Sequence, residues 1–488
     1  MKLVKSLLLG SAAGIAAVSG AQAADLPVRK AAPVEYVRVC TAYGAGFFYI
    51  PGTDTCLRIS GRVRAEYRWQ DSETRVGDTL GWRARARLNL DARTATAYGT
   101  LRTFIRYELT RNSGVYGAVQ QQASGGVAQN LTVDLNKAFI QFAGITAGRA
   151  TSFFDFYAND LNWGGLPTGS DTYGNDPVVL AYTASFGAGW SATISLEDPA
   201  SRRVTGAFFG PLVGPAGVVY PFIPQAHIYA GQRVPEVVAN VRVDQAWGSA
   251  QLAGAIHQIN SSNLIAPNPV GPLAGLPAVI PDTEYGFAIS AGLKVNLPMI
   301  APGDVLWLQG TYADGAVNYL GFGNAGTLRQ GGQNPLVANL SDAYVAPNGD
   351  VDTVKGWNIT AALLHYWTPQ IRQSVFGTYG QLEVPGFATS AFVVAPGAPA
   401  GAPATVFPGS FAADFDYWQI GTNLIWSPVR DLDIGVEVLY RTIDPNRRVI
   451  DLTSAPIAPG VGVAAAPVFR TIDKDDAFEA RLRIQRDF

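Results

Sequence analysis

The chain has 488 residues, of which 48% are hydrophobic, 11% aromatic and 15% charged, and its formal net charge is −2. So small a charged fraction argues against a disordered or coiled-coil chain, and the near-zero balance argues against nucleic acid as a partner, which needs a basic field. Mean hydropathy is only +0.11, too low for a bundle of membrane helices.

The first element is an expected secretory signal over residues 1–23. Lys2 and Lys5 form its basic start, Leu7 to Val18 its short apolar run, and Ala21-Gln22-Ala23 its cleavage site. Removal takes away two lysines and no acid, so the exported chain is more acidic by two charges. Export makes the two cysteines legible. Cys40 and Cys56 enclose 15 residues, and in an oxidising compartment a disulfide is the default, contributing roughly 3 kcal/mol. The expected organisation is a signal over 1–23, an N-terminal segment with a disulfide hairpin over 24–56, and one β domain over 57–488.

From Leu57 onward the sequence reads in twos. Leu57, Ile59, Val63, Ala65, Tyr67 and Trp69 share one parity, and Arg58, Ser60, Arg62, Arg64, Glu66 and Arg68 the other. Trp82 to Leu90 alternates with Arg83, Arg85, Arg87 and Asn89. Leu101 to Leu109 alternates with Arg102, Phe104, Arg106 and Glu108. Such runs predict strands with one greasy and one polar face. Further examples start at Val237, Trp418, Leu432 and Phe478. Val178–Phe186 and Ile371–Gln381 alternate poorly and are placed as strands by spacing alone.

Sixteen segments emerge, and their connections alternate short and long. Short ones lie near Ala92–Tyr98, Ala143–Thr146, Gly187–Trp190, Ala246–Ser249, Leu297–Gly303, Trp367–Ile371 and Ser427–Leu432. The opposite set runs near Asp71–Thr79, Arg111–Asn130, Thr151–Pro177, Asp198–Pro235, Asn260–Pro281, Ala316–Asp350, Val384–Ala412 and Asp444–Lys474, the first of them modest and the rest long. A soluble sandwich has no reason to segregate its loops; a transmembrane barrel does. Trp190, Trp247, Trp367 and Trp426 beside the short turns, with Tyr67, Trp69, Trp82, Tyr107, Trp357, Trp418 and Tyr440 at the far ends, suit two interfacial girdles. The last strand ends on Phe488, and Arg486 on its lipid parity is read as snorkelling.

The stretches Ala24-Asp25-Leu26-Pro27, Glu35 to Cys40, Tyr43 to Gly61, Lys137 to Gly144, Ala147-Gly148-Arg149 and Ser152 to Phe156 resemble the alphaproteobacterial porins of the Rhizobium/Brucella type. The resemblance covers the exported chain end to end. It implies an all-β, 16-stranded antiparallel transmembrane barrel with short periplasmic turns, long extracellular loops and a third loop, here Thr151 to Pro177, folded into the pore. It also implies a homotrimer in outer-membrane lipid that passes ions and small hydrophilic solutes by diffusion. Phe488 fits the C-terminal signal read by the barrel-assembly machinery.

The pore hypothesis names residues. Arg58, Arg62, Arg64, Arg83, Arg85, Arg87, Arg102 and Arg106 form an expected basic wall. Asp155, Asp160, Asp171 and Asp176 are the acids of the inward loop, expected to face that wall across an eyelet. Arginine keeps its charge and offers a rigid fork. Trp163, Tyr157 and Tyr173 would serve either as a sugar-binding ladder, making the channel selective for sugars or organic acids, or as packing for the loop. An outer-membrane hydrolase is disfavoured: His227, His257 and His365 are the only histidines, and neither a G-x-S-x-G nor an H-E-x-x-H motif occurs. An exported sandwich-type adhesin is the remaining class. No cofactor and no metal site are expected.

Overall fold

The computed structural model describes residues 38–488 other than 72–77, 117–128, 164–168, 173–175, 206–224, 227–228, 263–279, 323–339, 347–348, 390–411, 447–448, 452–469 and 473–474. The expected signal segment, the motif residues before 38, His227 and Tyr173 lie outside the described residues.

Two units are distinguished, divided after Leu57. In the first, Cys40 and Cys56 are joined by a disulfide, with Cα atoms 6.0 Å apart. Phe48 and Tyr49 pair with Leu57 and Cys56. Phe47 and the two cysteines form a small buried cluster flanked by Tyr43 and Tyr49.

The second unit is a closed antiparallel barrel. Its strands are β1 (Thr55–Gln70), β2 (Leu80–Thr96), β3 (Gly99–Gly114), β4 (Gln129–Phe142), β5 (Ile145–Arg149), β6 (Val178–Gly187), β7 (Trp190–Glu197) and β8 (Glu236–Gln245). They continue with β9 (Gly248–Asn260), β10 (Thr283–Asn296), β11 (Val305–Asp314), β12 (Lys355–Thr368), β13 (Ile371–Glu383), β14 (Phe415–Val429), β15 (Leu432–Pro445) and β16 (Asp475–Asp487). Each pairs with its successor, and β16 returns to β1 in the register Arg62 to Asp487 through Gln70 to Glu479. Closure leaves no open edge, which a lipid-embedded sheet requires because no water is present to satisfy its backbone. The seam is tight: Gly61 and Phe488 exchange two backbone hydrogen bonds of 2.8 and 3.0 Å. A β-carbon at Gly61 would lie 2.4 Å from the Phe488 ring, so glycine there admits the terminal aromatic.

Parity sets the two faces. Ile59, Val63, Tyr67 and Trp69 of β1 are exposed on the outside, whereas Glu66, Arg68 and Gln70 are buried inward. The same holds for Ile420 and Leu424 against Gln419 and Asn423 on β14. Outward aromatics pair across strands near the ends, as Tyr67 with Trp82 at 4.8 Å and Trp418 with Tyr440 at 5.2 Å. Short turns occupy one end throughout. Ala143-Gly144 and Ala188-Gly189 both take positive φ at two consecutive residues, the twist that a two-residue hairpin demands. β2 runs on to Thr96, four residues past the expected start of its turn, because Ala92 to Thr96 extend the ladder with β3 although they carry no strong apolar signal.

Among the described residues, no helix is long and apolar enough to cross a membrane, which says nothing against crossing by strands.

Candidate functional site

The loop between β5 and β6 lies inside the barrel, held by inward side chains strand after strand. Glu197 at the end of β7 accepts from Ser152 Oγ at 2.8 Å and from the Phe153 amide at 3.1 Å. Asn240 of β8 donates to the Phe153 carbonyl at 2.6 Å, and Gln251 of β9 to the Phe154 carbonyl at 3.1 Å. Gln309 of β11 accepts from the Tyr157 amide and, with Thr311, donates to the Ser170 carbonyl. Asn423 of β14 donates to the Leu161 carbonyl at 2.8 Å. The far end is fastened by charge. The Trp163 amide donates to Glu437 of β15 at 2.7 Å, its carbonyl accepts from Arg481 and Arg483 of β16 at 3.1 and 2.9 Å, and its ring lies 4.4 Å from the Arg483 guanidinium.

Apolar contacts seat the same loop. Phe156, Tyr157 and Leu161 pack on Trp307, Ala362, Phe376 and Leu439, all from strands. A larger cluster joins Phe154 to Val204, Val317, Tyr319, Leu320, Leu340 and Tyr344 of other long connections, and these cover inward residues such as Val238, Ala255, Ala288 and Phe415. Buried polar groups stitch those connections together. Asp342 accepts from the Val204 and Val317 amides and from Tyr229 Oη, at 2.7, 2.8 and 2.7 Å. Tyr229 also meets His257 Nε2 at 2.5 Å, while His257 Nδ1 lies 2.6 Å from Glu236, to which Tyr319 donates. Burial pushes the Asp342 carboxyl up. This scaffold was not legible in the sequence: its members sit on ordinary inward parity or in loops.

The arginines expected to form a basic wall lie on β1–β3, and the carboxylates they meet come from strands of the ring rather than from the inward loop. Arg62 pairs with Asp487 at 2.5 Å, and Arg87 and Arg85 with Glu108 at 2.5 and 3.3 Å. Arg83 lies 3.7 Å from Glu66, and Arg102 forks onto Asp91 with two bonds of 3.0 Å. Arg58, Arg64 and Arg106 form no ion pair among the described residues. Arg68 is buried on Glu479 of β16 at 2.5 Å.

The loop's four acids do not act together against that wall, which corrects the expectation drawn from charge alone. Asp155 accepts from the Thr172 amide at 2.9 Å and hydroxyl at 2.6 Å, and Asp171 from the Phe156 and Ala158 amides at 3.3 and 2.8 Å. Both are spent inside the loop as turn supports. Burial, with Asp171 beside it, holds the Asp155 carboxyl well above the usual range. Asp160 is exposed on the side of Lys294 of β10. Asp176 alone approaches the wall's cations, 3.8 Å from Lys137 Nζ of β4, and Lys137 also bonds to Thr151. Of the aromatics weighed as a sugar ladder, Tyr157 is buried with its hydroxyl on Asn162 and its ring against Trp307. It is packing.

A family model described as the porin subfamily matches residues 25–461. Porin Omp2b of Brucella canis is 36% identical over 263 residues, 52% of this chain and 65% of that protein, so the match spans just under two thirds of the relative. Porin Omp2b of Brucella suis biovar 1 is 35% identical over 308 residues, 60% of this chain and 80% of that one. Among solved structures, the outer membrane channel DcaP of Acinetobacter baumannii is similar in fold, with a TM-score of 0.55 at 14% identity, covering 90% of this chain and 99% of that one.

Proposed function

The chain belongs to the porin subfamily, and we propose that it forms a water-filled outer-membrane channel through which ions and small hydrophilic solutes diffuse passively. The observation that carries this reading is the closed sixteen-strand ring, apolar outside and polar inside, with the 151–177 loop laid across its interior. A barrel of this size encloses an aqueous lumen. Among the described residues the loop is held by strands from β7 to β16, and we place the passage beside the arginines of β1–β3.

The Omp2b relatives are named as porins, which supports a channel over a hydrolase. A homotrimer in the membrane, recognition of the Phe488 strand by the assembly machinery, and a 24–56 segment separate from the barrel after cleavage at residue 23 belong to the same reading. The exposed outward face of the strands and the Gly61–Phe488 seam are in keeping with it.

Swelling of liposomes loaded with purified protein, across a graded series of sugars, tests the proposal. A smooth fall of rate with solute size is the expected result. Uptake of one sugar far out of line with its size would favour a substrate-selective channel, and no swelling at all would sink the channel reading.

A further inference from the structure

The arginines of the passage differ in what holds them. Arg64 gives its Nε to Gln485 Oε1 at 3.0 Å, Arg106 to Asn89 Oδ1 at 2.9 Å, Arg83 to Asn112 Oδ1 at 2.7 Å and Arg85 to Thr110 Oγ1 at 2.9 Å. Each acceptor is a neutral side chain on an adjacent strand. A neutral strut on the inner nitrogen fixes the direction of the guanidinium without cancelling its charge; in Arg83 and Arg85 a terminal nitrogen then lies 3.7 Å from Glu66 and 3.3 Å from Glu108, whereas in Arg64 and Arg106 the terminal pair meets no carboxylate among the described residues. A lysine could not be braced in this way, because it has one donor nitrogen at its tip.

Arg64 and Arg106 carry the arrangement furthest. Both are half-buried, and among the described residues neither has a carboxylate partner. Between them in the register lies the row of Arg62 and Arg87, whose acids, Asp487 and Glu108, are already engaged. Glu108 is shared with Arg85, and Asp176 sits with Lys137, the residue opposite Arg106. Among the described residues, the carboxylates paired with Arg62, Arg85, Arg87 and Lys137 are Asp487, Glu108 and Asp176, while Glu66 beside Arg64 is already held by Arg481 and Arg483 and Asp134 lies opposite Glu108. The ladder is also locally distorted there. β4 skips one residue against β3 at Asn136, and the register shifts between Arg106 and Tyr107. Outward residues change from Leu131, Val133 and Leu135 to Ile140 across this bulge. Without the extra residue Lys137 would point to lipid; with it, Lys137 joins Arg106 inside.

We infer that Arg64 and Arg106, with the excess positive charge around them, form a transit site for a small doubly charged oxyanion of the phosphate and sulfate class. Each fork offers a pair of donors to two anionic oxygens through charge-assisted bidentate bonds, so the two arginines act as successive stations for the anion. An anion of higher charge gains more from an uncompensated cluster than chloride does, so it dwells while chloride passes. The inference rests on the porin reading, since it needs an open lumen.

The test is planar-bilayer recording in potassium chloride with sulfate added to one side, sulfate being fully divalent over the working range. Sulfate at millimolar levels is expected to reduce the chloride current in a voltage-dependent way. Arg64→Gln and Arg106→Gln should each weaken that block by about tenfold, the loss of one charge-assisted pair, and shift the reversal potential in a salt gradient toward cations. Arg64→Lys and Arg106→Lys should keep the reversal potential while still weakening the block, because they keep the charge and lose the fork. Arg430→Gln, in the exposed turn between β14 and β15 beside Asp431 at 3.4 Å, should leave the block unchanged. A wild-type channel that conducts but ignores sulfate, or a double Gln variant that is blocked as before, overturns the inference and leaves the channel intact. A wild-type protein that does not conduct overturns the porin reading instead. The wild-type block is decisive by itself if a variant fails to refold.

Discussion

Gly292→Ala is the sharpest probe of how the loop is held. Gly292 lies on β10 beneath Phe156, and a β-carbon there would fall 2.2 Å from Phe156 Cδ1, 2.7 Å from Cγ and 2.8 Å from Cε1. Carbon atoms rest about 3.5–4.0 Å apart, so the ring must retreat by more than about 1 Å. It has little room. Phe156 is buried, 5.1 Å from Trp307 in an edge contact and 5.4 Å from the Arg242 guanidinium. No backbone atom is among the three nearest atoms, and alanine suits a strand better than glycine by about 0.5–1 kcal/mol. The barrel should therefore keep its stability while the loop's seat loses about 1–3 kcal/mol to overpacking. That shifts the balance between seated and lifted loop by roughly 5- to 150-fold.

Single-channel recording reads this directly, as faster flicker and a changed mean conductance, with urea unfolding as the control for the barrel. Phe156→Ala alone should also loosen the loop, by about 3–5 kcal/mol of lost packing. Adding Gly292→Ala to it should restore part of that loss, because the new methyl enters the vacated space. Wild-type noise and conductance in Gly292→Ala would refute the reasoning, as would strict additivity of the two changes.

The remaining expectations address other parts of the molecule. Glu66→Gln should destabilise the barrel by about 3–5 kcal/mol in urea unfolding, since Glu66 lies 2.6 Å from Arg483 and 3.6 Å from Arg481 and its loss strands buried cations. Glu437→Ala should free the Trp163 end of the loop, costing about 2–3 kcal/mol of a charged hydrogen bond, and should raise solute cut-off in liposome swelling. The raised Asp155 carboxyl gives a pH dependence of definite sign. The neutral form is the one that fits the fold, so its stabilising contribution is complete below the ordinary aspartate value of about 3.9 and is lost as pH rises through the raised value. Channel noise should accordingly fall on mild acidification, and Asp155→Asn, which still accepts from Thr172, should flatten the profile; noise that rises in acid contradicts this. Replacing Cys40 and Cys56 by serine should leave the heat-modifiable barrel band unchanged, because the disulfide belongs to the unit that ends at Leu57, whereas the ring closes through Arg62–Gln70 on Glu479–Asp487.

How far these features could be read from the chain depends on what covers each wall. Where the inner face is chiefly polar, as on β1–β3 and β16, alternation is clean and the strands are legible residue by residue. Val178–Gly187 and Ile371–Glu383 alternate poorly for a physical reason. Their inward Val179, Ala181, Phe376 and Leu382 are buried, and Phe376 and Leu382 are members of the clusters that the loops build inside the lumen. An apolar residue on lumen parity is thus itself a sign that something lies on top of it, and β4 adds the second cause of failure, a bulge at Asn136 that exchanges the two faces midway. The row of arginines on β1–β3 was legible because arginine repeats on one parity. Its partners were not, since Asp487, Gln485 and Glu479 stand some 400 residues away in sequence and reach β1 only through closure of the ring. The acids of the 151–177 loop misled for a related reason: charge shows where a carboxylate is, but not whether it faces the water or supports its own turn. Asp155 and Asp171 do the latter, so the field across the passage depends on which arginines lack a strand-borne acid, and those are Arg58, Arg64 and Arg106 among the described residues.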